Sequence, residues 1–222
     1  MLQGDDVLLG ASPAAYAEWV ARDFQRLRSA NHSAVMKKCD VVFLRGDGAK
    51  PSRYIVNVLN KTFTVELDEG KVVDLMTGKD AGEKLSYVIL EYLLGEGAAG
   101  QDSWQPLDTL LKTSAYLSYY QKTVLNPLLK TFGNQALLFE ESSRMLGGKR
   151  EKLGGTAYSF TFLPKVRLLI QVWFGDETEM RKTSINASYN MSAAKFLKPT
   201  PLLIAFEILT TLLTKTIKKQ KT

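Results

Sequence analysis

The stretch from residue 154 to 187, GGTAYSFTFLPKVRLLIQVWFGDETEMRKTSINA, most constrains what this chain can fold into. Ala157, Ser159 and Thr161 alternate with Tyr158, Phe160 and Phe162, so in a strand the three aromatic rings share one face. After Leu163-Pro164-Lys165, the run VRLLIQVWF is apolar almost without interruption. Such a run predicts a strand covered on both faces near its middle. Residues 182–187 can return as a third strand. A sheet with this pattern needs a layer of other elements on each face, and the rest of the chain must supply it.

Most of that supply reads as helix. Ser12-Pro13 is a helix start, and Tyr16, Trp19, Val20, Phe24 and Leu27 then form one apolar stripe running to about Ser29. Leu85, Val88, Ile89, Tyr92 and Leu93 form a second stripe, with Gly95 as its stop. Residues 107–147 read as helical pieces: Asn126-Pro127 restarts a helix, and Asn134 caps another. Tyr116, Tyr119 and Tyr120 lie there as half-buried packing with hydroxyls in water. Thr200-Pro201 opens a last core helix carrying Leu202, Phe206, Leu209 and Leu213. Between the first two helices, 39–44, 54–59, 62–67 and 72–75 read as strands of a small antiparallel meander. Hairpins and helices are segregated rather than alternating, which predicts an α+β fold. We expect residues 1–222 to form one domain, with the glycine-bearing loop at 96–103 as the boundary or mobile segment if there is one.

Composition excludes several classes. The net charge is +6, but Lys215, Lys218, Lys219 and Lys221 carry four of those charges, leaving +2 for residues 1–214. A near-balanced body lacks the dense Lys/Arg surface that phosphate backbones require, so no nucleic-acid partner is expected. The last apolar run, 201–213, has 13 residues and contains Glu207, against the roughly 20 a membrane span needs. No signal peptide is expected from the first residues, and one cysteine allows no internal disulfide, so we expect a cytoplasmic protein. With a single histidine, His32, and a single cysteine, Cys39, no zinc or iron–sulfur site is expected. His32 reads as a surface-loop residue and Cys39 as a small buried hydrophobe at a strand start.

The tight carboxylate cluster Asp176, Glu177 and Glu179 follows the hairpin, beside Trp173. Asp176 and Glu179 are candidates for general acid/base work, since apolar neighbours can raise one carboxyl pKa above the other. The competing reading is a solvated acidic turn. As a binding surface we single out Trp104, Gly148, Trp173, Asp176, Glu177 and Glu179: indoles for apolar contact, carboxylates for polarity, Gly148 for close backbone approach. The plain alternative is that the tryptophans are core and the glycine pair at 147–148 ends a helix.

Tyr92-Leu93, Trp104, Asn126-Pro127-Leu128 to Phe132-Gly133, Leu146-Gly147-Gly148, Leu163-Pro164-Lys165-Val166 through Trp173, Gly175-Asp176-Glu177 and Glu179 occur in an order that is similar to a family of uncharacterised proteins from anaerobic bacteria and archaea. The resemblance covers the C-terminal two-thirds. Some relatives carry a cysteine-rich domain like that of corrinoid and acetyl-CoA-pathway iron–sulfur proteins. The resemblance thus implies an accessory role in anaerobic one-carbon or corrinoid metabolism, with a corrinoid protein, an iron–sulfur protein or a small molecule as the object bound. This chain has no such domain, and it has Ile185-Asn186 where the family has Phe-Asp. Two readings stay open: a binding domain, and a carboxylate-dependent hydrolase or lyase using Asp176 and Glu179. The cofactor is unknown.

Overall fold

The computed structural model describes residues 10–47, 50–97, 102–175 and 182–220. Helix α1 (Pro13–Arg28) begins where expected: the Ser12 hydroxyl accepts from the Ala15 N–H at 3.3 Å. It buries Tyr16, Val20, Phe24 and Leu27, and also Asp23. A second helix, α2 (His32–Cys39), was not expected. The Asn31 side chain accepts from the Ala34 N–H at 3.1 Å, and Val35 and Cys39 bury one face at helical spacing. The expected strand at 39–44 is therefore shortened to β1 (Val42–Leu44), because Asp40, at φ +53°, ends the helix first. His32 is the first residue of α2 rather than a loop residue. Its Nδ1 lies 2.6 Å from the Tyr54 hydroxyl, and its ring stacks on Phe43 at 4.2 Å.

The meander continues with β2 (Arg53–Val58), β3 (Lys61–Glu66) and β4 (Lys71–Asp74), paired antiparallel in chain order. Val58 pairs with Lys61 across a two-residue turn, and Leu59 there takes φ +54°. That region costs a residue with a Cβ about 1–2 kcal/mol. Helix α3 (Glu83–Leu94) is buried on more than one stripe, with Tyr87 and Leu90 joining the expected residues. It stops at Gly95, where a Cβ would collide with the Phe196 carbonyl.

Strand β5 (Trp104–Pro106) leads to α4 (Ser114–Tyr120) and α5 (Asn126–Phe132). These two form one continuous helical run through a π turn at Gln121–Leu125. Pro127 therefore does not restart a helix. It lacks an N–H and its ring presses on the preceding turn, and the wider π turn makes room for it. Helix α6 (Ala136–Met145) has Gln135 rather than Asn134 at its cap position, without a side-chain cap bond. The tyrosine hydroxyls of α4 are bonded inside the protein rather than wet. Tyr116 meets Thr200 Oγ1 at 2.6 Å, Tyr119 donates to Glu207 at 2.7 Å, and Tyr120 bonds the Ala187 backbone.

The hairpin is β7 (Thr156–Leu163) and β8 (Val166–Trp173), after the short β6 (Lys149–Glu151) and before β9 (Ser184–Asn190). All five strands pair antiparallel in the order β5-β9-β8-β7-β6. Tyr158, Phe160 and Phe162 are buried, and so are Ala157 and Ser159 on the opposite face. Leu168, Leu169 and Ile170 are likewise buried in succession. Both faces of this sheet are thus covered. Helix α7 (Pro199–Gln220) places Leu202 to Phe206, Leu209 and Leu213 in a buried cluster that also takes residues from α1, α3 and both sheets. No helix among the described residues is long and apolar enough to cross a membrane.

Candidate functional site

The hydrophobic pattern of α2 decides what it shows to solvent. Burying Val35 and Cys39 turns Ala34, Lys37 and Lys38 outward, three positions that lie together on one helix face. Across from them, the Pro164-Lys165 turn of the β7–β8 hairpin and Arg167, the second residue of β8, line the same space. Asn190 and Ser192 at the end of β9, with Phe196, close the third side. Together they enclose a cavity of about 750 Å³.

Its polar groups are ordered. Asp102 accepts from Arg167 Nη1 at 2.9 Å and from Asn190 Nδ2 at 2.6 Å. Arg167 also reaches Glu151 at 3.4 Å and lies 4.9 Å over the ring of Trp104. Lys165 Nζ sits 3.3 Å from Asp40, and Lys38 Nζ donates to the Gly95 carbonyl. Lys37 has no ion pair among the described residues. Among the described residues, four cationic side chains therefore line the cavity against one carboxylate, Asp102.

Two of the expected site residues, Trp173 and Gly148, lie elsewhere. Trp104 pairs with Asn190 and Trp173 with Ser184, at opposite ends of β9 and six residues apart, which is about 20 Å along a strand. They do not form one surface. Trp173 is 40% exposed and covers Gly154 and Gly155, where a Cβ on Gly155 would meet the indole at 3.1 Å. Gly148 does allow a close approach, but an internal one: a Cβ there would stand 2.7 Å from Phe160 Cε1 and from the Ser143 carbonyl. Asp176, Glu177 and Glu179 lie outside the described residues. Of the expected set, only Trp104 belongs to the cavity's surroundings, through Arg167.

Lys37, Lys38, Lys165, Arg167 and Asn190 were not among the sequence candidates. The one signal present was Leu163-Pro164-Lys165, which marks a tight turn. Nothing in the sequence places that turn beside a lysine pair more than a hundred residues earlier.

Among the described residues, reactive side chains do not gather here. Cys39 is fully buried, and burial pushes its thiol up to about 11. Burial, with Arg45 nearby, lowers the pKa of His32. Among the described residues no group of three or more His, Cys, Asp or Glu comes together to hold a metal ion. A second cavity of about 770 Å³ lies between the meander, α3 and α7, lined largely by apolar residues such as Phe63, Leu85 and Ile208. Part of its charged rim is paired, Lys61 with Asp74 at 2.6 Å and Lys84 with Glu207 at 2.6 Å, and Lys79, Asp80 and Glu83 line it as well. A third recess of about 280 Å³ carries Glu91, Arg26 and Lys198.

A protein-family model described as a domain of unknown function, DUF3786, matches residues 38–211. The match takes in both sheets and every side chain named around the basic cavity except Lys37 and Ala34. No curated protein matches the chain, and no solved structure does.

Proposed function

The chain belongs to the DUF3786 family, and we propose that it is a binding domain, holding a small cofactor-sized molecule in the basic cavity between α2 and the β7–β8 turn. The carrying observation is the cavity itself: about 750 Å³ falls within the roughly 300–1,000 Å³ usual for small-molecule sites. Its walls join polar groups to an apolar patch of Phe196 and Pro164. Its basic side chains come from separate elements fixed by a common core, so the shape exists before a ligand arrives. The continuity of that core also supports treating residues 1–222 as one domain. We take the protein as cytoplasmic. The family resemblance supports an accessory role in anaerobic one-carbon or corrinoid metabolism, in which the held molecule, or a corrinoid or iron–sulfur protein that presents it, is the object bound.

Native mass spectrometry of the protein purified anaerobically from its own host tests this reading. A stoichiometric small molecule that leaves on unfolding is the expected result. An apo protein, together with turnover in a substrate screen that Asp176→Asn abolishes without loss of fold, would overturn it in favour of carboxylate-dependent hydrolysis.

A further inference from the structure

We propose that the cavity between α2, the β7–β8 turn and the end of β9 takes the phosphate group of a small organic phosphate, with Lys37, Lys38 and Lys165 as the groups that bind it. This deepens the reading of the cavity as a binding site and rests on it.

The cations around the cavity differ in how far their charge is already committed. Arg167 is the most committed: Nη1 bonds Asp102, Nη2 reaches Glu151, and the guanidinium lies over Trp104, so two of its five N–H donors and its charge are matched by carboxylates. The planar fork that best matches a carboxylate is therefore engaged. The three ammonium groups are in a different state. Lys38 spends one N–H on the Gly95 carbonyl and keeps two. Among the described residues Lys165 is paired only with Asp40, whose side chain is 70% exposed, so water screens that pair. Lys37 has no ion pair among the described residues. Point-charge ammoniums arranged around a concavity suit an anion with several oxygens and more than one charge.

The one carboxylate that lines the cavity among the described residues does not cancel them. Asp102 Oδ1 already accepts from both Arg167 and Asn190. Asn190 Oδ1 in turn takes the Ser192 N–H and hydroxyl, so this side of the cavity is closed on itself. Lysines in the last turn of α2 have an ordinary reason to be there, the negative end of the helix dipole. Lys165 has no such reason, since it sits in a strand turn on another element, yet it faces the same space. The volume far exceeds a phosphate ion, and the Phe196 and Pro164 surfaces leave room for an organic body.

The test uses inorganic pyrophosphate as probe, with succinate as a dicarboxylate of similar span, titrated calorimetrically at low ionic strength. Four proteins are compared: the wild type, Lys37→Glu, Lys165→Glu and Lys79→Glu. The last lies away from this cavity and changes the net charge by the same amount. Circular dichroism establishes that all four are folded. We expect the wild type to bind pyrophosphate at least tenfold more tightly than succinate. Lys37→Glu and Lys165→Glu should each weaken pyrophosphate by roughly tenfold or more, as for loss of a hydrogen bond to a charged group. Lys79→Glu should stay within about twofold of wild type, as a distant, exposed charge does. An equal loss in Lys79→Glu, equal affinity for succinate, or no binding of pyrophosphate overturns the proposal. If host-purified protein nevertheless carries a different molecule, the binding reading stands and the phosphate assignment alone falls.

Discussion

Replacing Glu91 with glutamine should make the protein more stable at neutral pH and leave it unchanged in acid. The reason lies in the contact between α1 and α3. Asp23 is fully buried, and its Oδ1 takes Arg22 Nε, Arg22 Nη2 and Arg26 Nη1, each at 3.0 Å. Its Oδ2 is also buried and receives no hydrogen bond from a fixed donor. Glu91, with a side chain only 13% exposed, stands 3.9 Å from the same two guanidinium nitrogens and hydrogen-bonds Asp23. Burial, then the Asp23 charge and that hydrogen bond, raise the Glu91 pKa, while Arg26 and Lys198 oppose the rise. Tyr87 is the other titratable neighbour on α3. A protonated Glu91 can donate to Asp23 Oδ2, and an ionised one cannot.

Because the folded protein holds this proton more tightly than the unfolded chain, the stabilisation is complete below the ordinary glutamate value. It is lost as pH rises through the raised one. The amide introduced by Glu91→Gln would supply an N–H donor at every pH. The gap between Glu91→Gln and wild type should therefore open from near zero at about pH 4 towards about 1–3 kcal/mol at about pH 8, the worth of a hydrogen bond to a buried charged acceptor. Glu91→Ala leaves Oδ2 without a donor and should lie below Glu91→Gln by a similar amount throughout. Urea denaturation of the three proteins in half-unit steps of pH is the assay. A gap that stays flat, or closes as pH rises, would refute the shared proton.

Gly148→Ala should cost about 1–3 kcal/mol by overpacking, because the added methyl would stand 2.7 Å from both Phe160 and the Ser143 carbonyl. Thermal melts check it, and ligand binding in the distant basic cavity should persist. Cys39, buried and with its thiol pushed up to about 11, should resist thiol reagents at neutral pH and react fully in urea. His32 should titrate below a free histidine by NMR, so on its account stability falls as pH drops through the ordinary histidine range. Phe206→Ala, at a fully buried position of α7, should cost about 3–5 kcal/mol in chemical denaturation.

The parts of the fold legible in the sequence are those whose signal is local. Tyr158, Phe160 and Phe162 announce their strand by alternation, and the Val166–Trp173 run announces burial on both faces. Ser12-Pro13 announces α1. Helix α2 was hidden because its eight residues end in Cys39, directly before the apolar residues of β1, so helix and strand read as one extended run. Pro127 misled for the opposite reason: a proline breaks an ordinary helix, but a π turn upstream lets the run continue. The basic cavity was beyond local signal altogether. Lys37 and Lys38 on a short helix look like solvated charge, and Lys165 looks like a turn residue. Only the tertiary arrangement turns three ordinary lysines into one field. Asp23 is a similar case, a carboxylate within the apolar stripe of α1 that is paired by Arg22 and Arg26 of its own helix and then meets Glu91 from α3.

The strand order β5-β9-β8-β7-β6 bears on how the protein is made. The meander closes within residues 42–74, all hairpins, and can assemble as soon as it leaves the ribosome. Strand β5 has no such recourse: its only partner strand among the described residues, β9, is translated some eighty residues later. Helix α7 follows every strand and helix it covers. During synthesis the faces of α3, α5 and α6 that pack on α7 therefore wait uncovered. Long-range closure of this kind slows folding and exposes aggregation-prone surface in the interval. A nascent chain stalled before α7 should be the form that chaperones hold, and co-expressed holdases should raise the yield of intact protein more than they raise its final stability.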